Sequence, residues 1–134
     1  MEPTRTMVAA VLMVGISSSV AHAEGARLHD VKRVDLLKHD ISIPGRQVIQ
    51  VLVEFGPGMT APNHSHPGEE IVYVVKGSLE YRLERQPPIT LKAGDTLFIP
   101  DGKVHAVRNV GDGAAAELAT YIVKTDEPLI ELSK

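Results

Sequence analysis

The sequence predicts an all-β fold, a small double-sheet barrel, and three observations lead there. Turn formers recur at Pro44-Gly45, Gly56-Pro57-Gly58, Pro67-Gly68, Gly77, Pro87-Pro88, Gly94-Asp95, Pro100-Asp101-Gly102 and Gly111-Asp112-Gly113. They fall roughly every 10 residues, the spacing of sandwiches and barrels. The segments between them alternate or carry β-branched residues, and no window of adequate length shows a helical stripe.

The elements follow in chain order. In residues 47–55, Ile49, Val51, Val53 and Phe55 share one face, opposite the mixed set Val48, Gln50, Leu52 and Glu54. Residues 71–75 are continuously apolar and rich in β-branched side chains, which suits a strand buried on both faces. Residues 79–84 alternate, with Leu79, Tyr81 and Leu83 on one side and charges on the other. Segments 96–99, 104–108 and 117–123 complete the set. Ala114, Ala115, Ala116 and Ala119 favour helix, but their segment is short and runs into Thr120, Ile122 and Val123. Tyr73, Tyr81 and Phe98 are expected in the core.

The first residues read differently. A stretch without charge, 7–16, is followed by Ser17, Ser18 and Ser19 and by Ala21-His22-Ala23. That order matches an export signal cleaved after Ala23, although the segment before it has no net charge. Its apolar run is too short to span a bilayer, which takes about 20 residues. The expected organisation is a signal over 1–23, an N-terminal arm and first strand over 24–40, the barrel over 41–127 and a tail over 128–134. The destination is periplasmic or secreted. Glu2 and Arg5 cancel, so cleavage leaves the net charge of −3 unchanged. No basic stripe exists to neutralise phosphates, so nucleic acid is not an expected partner. Nor is a membrane once the signal is removed. Cysteine is absent, and the exported domain must be held by its core, a metal or self-association.

The candidate chemistry lies in two stretches. His64 and His66, two apart, share a face only if their segment is extended, and Gly56, Pro57, Gly58 and Pro62 upstream exclude helix. Glu70 stands four residues on, across Pro67-Gly68. His105 lies in a second strand segment, between Val104 and Ala106. Three imidazoles and a carboxylate are a common donor set for a divalent transition metal. Taken singly, His105 reads as a hydrogen-bonded core residue and His64 and His66 as surface histidines, while Glu70 alone carries almost no signal. The joint arrangement carries the argument.

That arrangement resembles the cupin family. Gly58, His64, His66, Glu70 and Gly77 fall at the spacing of its first signature, and Gly94, Pro100, Gly102, His105 and Asn109 at that of its second. Sixteen residues, 78–93, separate them. The resemblance implies a jelly-roll barrel, also called a double-stranded β-helix, with His64, His66, Glu70 and His105 as metal ligands. Glu69 competes with Glu70 for the carboxylate position; family spacing selects Glu70. Glu69 is left as a solvated turn residue or a candidate catalytic base. Gly58 and Gly77 mark turns, Pro100-Asp101-Gly102 a β-turn that returns His105 toward the first pair, and Asn109 a side chain able to bond to loop backbone. His29 and His39 lie outside both signatures and are expected in solvent.

The ligand set does not choose among Fe, Mn, Ni, Cu and Zn. Intrinsic affinity favours Cu²⁺ and Zn²⁺, and a leader without twin arginines implies that metal is acquired after export. The resemblance also leaves function divided. One reading is a dioxygenase-like enzyme acting on a small enolic, phenolic or dicarbonyl molecule. The others are a binder or sensor without turnover, and an isomerase or lyase using the metal as a Lewis acid. The enzyme is favoured slightly. Open sheet edges, a strand at 31–37 suited to exchange and the apolar Leu129-Ile130-Glu131-Leu132 favour a homodimer.

Overall fold

A computed structural model describes residues 31–134, so the expected signal over 1–23 and residues 24–30 of the arm lie outside the described residues. These residues form ten strands: β1 (Val31–Asp40), β2 (Arg46–Phe55), β3 (Thr60–Ser65), β4 (Gly68–Lys76), β5 (Ser78–Leu83), β6 (Ile89–Lys92), β7 (Thr96–Ile99), β8 (His105–Asn109), β9 (Ala115–Lys124) and β10 (Glu131–Leu132). Among the described residues there is no helix. Two five-stranded antiparallel sheets form the barrel, one ordered β1-β2-β9-β4-β7 and the other β10-β3-β8-β5-β6. This is the predicted double-sheet jelly roll.

Alternation builds the core. Ile49, Val51, Val53 and Phe55 of β2 face inward, and so do Leu79, Tyr81 and Leu83 of β5; all are buried. The alanine-rich segment is strand rather than helix because β9 is central, paired along its length with both β2 and β4. Ala115 and Ala116 there lie opposite Phe55 and Glu54, which extends the strand beyond the expected 117–123. β6 was not expected; it is four residues long, follows Pro87-Pro88 and pairs with β5. Residues 128–134 return along the barrel, where β10 pairs with β3.

Two expectations are corrected. β4 is buried on one face only: Val72 and Val74 point inward, while Ile71, Tyr73 and Val75 are exposed. Tyr73 and Phe98 are likewise outside the core, at 46% and 58% exposure; of the three aromatics, only Tyr81 is interior. The cause is architectural, since nothing among the described residues covers the outer face of the β1-β2-β9-β4-β7 sheet. The run at 71–75 records apolar residues on both faces of a strand, not a covering layer on both.

The motif positions outside the cluster hold turns together. Gly77 adopts φ +75°, and a Cβ there would lie 2.7 Å from the Ala115 Cβ and 2.8 Å from the Ala114 oxygen, so only glycine fits. The turn at 100–102 closes with a bond from the Lys103 amide to the Pro100 oxygen at 3.1 Å. Asn109, buried in β8, donates from Nδ2 to the oxygens of Phe55, Gly56 and Gly113 at 3.2, 3.0 and 2.8 Å. Its Oδ1 accepts from the Gly111 amide at 3.0 Å. One amide thus ties β2 to the loop before β9. Asn109→Ala removes hydrogen bonds to three main-chain carbonyls and one amide, and is expected to lower stability by about 2–4 kcal/mol in urea unfolding.

Candidate metal centre

Neighbouring strands bring the cluster together. His64, next to last in β3, lies directly opposite His105, the first residue of β8. His66 follows the end of β3, and Glu70 lies on the inward face of β4 in the other sheet. Backbone carbonyls orient the rings. The Nδ1–H groups of His64, His66 and His105 donate to the oxygens of Pro62, Leu129 and Lys103 at 2.7, 2.6 and 2.9 Å. With each Nδ1 proton committed to a carbonyl, each Nε2 presents a lone pair to the interior.

Those lone pairs converge. One donor atom from each of the three imidazoles lies within 4.8 Å of the others. The ring centroids are 4.2–5.2 Å apart. Glu70 Oε2 completes the group at 3.1 Å from His66 Nε2 and 3.2 Å from His105 Nε2. All four side chains are buried. His66 Nε2 and Glu70 Oε2 have no hydrogen-bond partner. Two orphaned buried polar atoms facing one point are costly unless something binds both, and a cation suits an arrangement of nitrogen and carboxylate donors. The residues fit a divalent transition metal.

Electrostatics favours the donor forms of His64 and Glu70. Burial, reinforced by His105, pushes the His64 imidazole down to about 4, so it stays neutral and available as a donor. Burial alone would raise Glu70, but His105 and His66 outweigh it and hold the carboxyl down at about 2. For His105 burial opposes the charge, but the Glu70 carboxylate prevails and the imidazole is raised.

Glu69 is not brought to this cluster. It precedes Glu70 on β4 and therefore points to the opposite, outer face, half-buried and paired with Ile122. His39 is exposed, as expected, and His29 lies outside the described residues.

Three interior residues were not anticipated as part of the site. Glu117 of β9 is 4% exposed and accepts a short hydrogen bond from the Tyr81 hydroxyl of the facing sheet. Burial and the nearby Glu70 charge push its carboxyl up to about 8. Tyr121, two inward positions along β9, lies beside Glu70 in the register and packs its ring 4.6 Å from that of His66. Arg33 of β1 sets its guanidinium carbon 6.0 Å from the Tyr121 ring centroid. Alternation carried the signal for the β9 pair, since Glu117, Ala119, Tyr121 and Val123 share a face, but the alanines obscured it.

A jelly roll whose interior holds three imidazoles and a carboxylate around one point defines a class of metal-binding β-barrels. The Cupin domain profile matches residues 51–123, and the chain belongs to the cupin family. It is similar to a dimethylsulfoniopropionate lyase, DddQ, of Ruegeria pomeroyi, at 43% identity over 51 residues, 38% of this chain and 25% of that protein. The match thus spans a quarter of that relative's length. The crystal structure of that lyase superposes with a TM-score of 0.67 at 25% identity, covering 90% of this chain and 59% of that one. A recombinant oxalate oxidase in complex with glycolate superposes at 0.62 with 27% identity, covering 77% and 55%.

The Tyr81–Glu117 pair yields a pH signature. Folded Glu117 keeps its proton up to about 8, whereas an unperturbed glutamate loses it near 4.5. The unfolded state therefore binds fewer protons over that interval, and folding stability falls as pH rises through it. Glu117→Gln is expected to remove this slope in chelator-treated protein. The difference between wild type and variant, read by urea unfolding at pH 5 and 7.5, amounts to a few kcal/mol in order of magnitude.

Proposed function

We propose that this is an exported metal-dependent cupin enzyme, with His64, His66, Glu70 and His105 as the ligands of one divalent ion. The observation that carries the reading is the three-histidine cluster with Glu70 Oε2 set against His66 and His105, two of the polar atoms there buried without partners. Four protein donors leave positions open on an ion that prefers five or six. An ion there supplies Lewis acidity toward an oxygen-rich ligand such as an enol, a dicarbonyl or a phenol. The chain's own residues orient the imidazoles through backbone carbonyls and keep the donors dry.

Dioxygenase-like oxidation is the favoured reaction. A second reading, Lewis-acid elimination, draws support from the similarity to dimethylsulfoniopropionate lyase. Affinity and metal uptake after export favour Zn²⁺ or Cu²⁺ as the resident ion; element analysis of protein from its native compartment that finds mainly Fe or Mn overturns that choice. The signal ending at Ala23 supports a periplasmic or secreted location. Exposed Ile71, Tyr73, Val75 and Phe98 on one sheet face favour a homodimer over a monomer, and light scattering at high dilution is expected to return twice the chain mass.

The decisive experiment begins with metal content. Wild type is expected to hold one ion per chain, while His64→Ala and His105→Ala reduce affinity by at least 100-fold. Unchanged stoichiometry in both variants defeats the ligand assignment. Verified Fe, Mn, Ni, Cu and Zn forms are then offered a panel of enolic and phenolic compounds. Oxygen uptake tied to one substrate class supports the dioxygenase, product without oxygen uptake supports the lyase or isomerase, and tight binding without product supports a binding protein.

A further inference from the structure

Arg33 has no role in the reading above, yet its position calls for one. It is half-buried on the inward face of β1, in register with Val53, which is itself opposite Glu117. Tyr121 lies two inward positions farther along β9. The guanidinium therefore reaches past small Ala119 toward the candidate centre, ending 6.0 Å from the Tyr121 ring. Tyr121 in turn contacts His66, with ring centroids 4.6 Å apart. One aromatic ring separates the guanidinium from a candidate metal ligand.

Among the described residues, the groups that feel the Arg33 charge are the Tyr121 phenol and Glu117. Among the described residues no carboxylate lies within ion-pairing distance of Arg33. Asp35, next on the same face, is exposed at the rim, where it lines a 390 Å³ cleft with Lys38, Ile49 and Leu129. Glu70 is committed to the histidines, and Glu117 is bonded to Tyr81. A half-buried guanidinium outside any ion pair can take one, and its planar donor fork matches a carboxylate.

We propose that Arg33, with the Tyr121 phenol beside it, forms a subsite for a carboxylate group of the substrate, so that the centre takes a small oxo- or hydroxy-acid rather than a neutral enol or phenol. This rests on the metal-centre reading and narrows its substrate class. The oxygen donors of such a molecule face the ion while its carboxylate is held by Arg33.

The test uses two β-diketone probes that can chelate a metal alike, acetylpyruvate with a carboxylate and acetylacetone without one. Each is titrated into Co²⁺-loaded protein and followed by the visible cobalt spectrum. Wild type is expected to prefer acetylpyruvate. Arg33→Gln is expected to weaken acetylpyruvate by about 10- to 100-fold, the loss of a charge-assisted hydrogen-bonded contact, and to leave acetylacetone within about twofold. Arg33→Lys restores part of the preference, because charge remains but the fork does not. Equal weakening of both probes, or an unchanged preference in Arg33→Gln, overturns the subsite and leaves Arg33 a packing residue for Tyr121. Failure of wild type to bind one Co²⁺ per chain instead overturns the metal centre, so the two failures are distinguishable.

Discussion

The constraint on which the rest depends is the hydrogen bond from each imidazole Nδ1 to a backbone carbonyl. Free histidine exchanges its proton between two nitrogens and rotates about two side-chain bonds. Here the oxygens of Pro62, Leu129 and Lys103 fix both the tautomer and the ring direction. Because the acceptors are main-chain atoms, the geometry is set by strand register and by the return of residues 128–134, not by further side chains. The centre is an outcome of backbone topology.

The barrel interior combines apolar layers with polar groups. Leu79, Val72, Val74 and Val51 are fully buried and exclude water. Among them run Arg33, Tyr121, Glu117 and Tyr81, each satisfied or charged in a different way. Dry surroundings separate the protonation of two acids on adjacent strands of one sheet: Glu70 is held down by histidines, and Glu117 is driven up by burial and by Glu70 itself. Two carboxyls of one residue type thus carry different charge inside one small shell.

Much of this was legible in the residues. The strands with strict alternation, 47–55 and 79–84, were readable because a period of two reports which face is buried whatever lies beyond it. The cluster was readable because its members sit at fixed offsets within two short segments whose turns need Gly77, Gly102 and Asn109. Other features were not readable, for one physical reason: their partners are distant in sequence. Nothing near Glu117 names Tyr81, and nothing near His66 names Leu129. Tyr73 and Phe98 look like core residues until the sheet is seen to have a bare outer face. Glu69 and Glu70 are chemically alike, and the pleat assigns them to opposite sides.

The donors are divided between the two layers of the sandwich. His64 and His105 belong to β3 and β8, Glu70 to β4 across the barrel, and His66 to the turn that joins the layers. An ion held by all four would act as a rivet through both leaves. Its binding energy would oppose their separation, a cross-link supplied by coordination in a chain with no cysteine to make one. Ligand occupancy and mechanical cohesion then become the same quantity, and a barrel stripped of its ion is one whose leaves are freer to part.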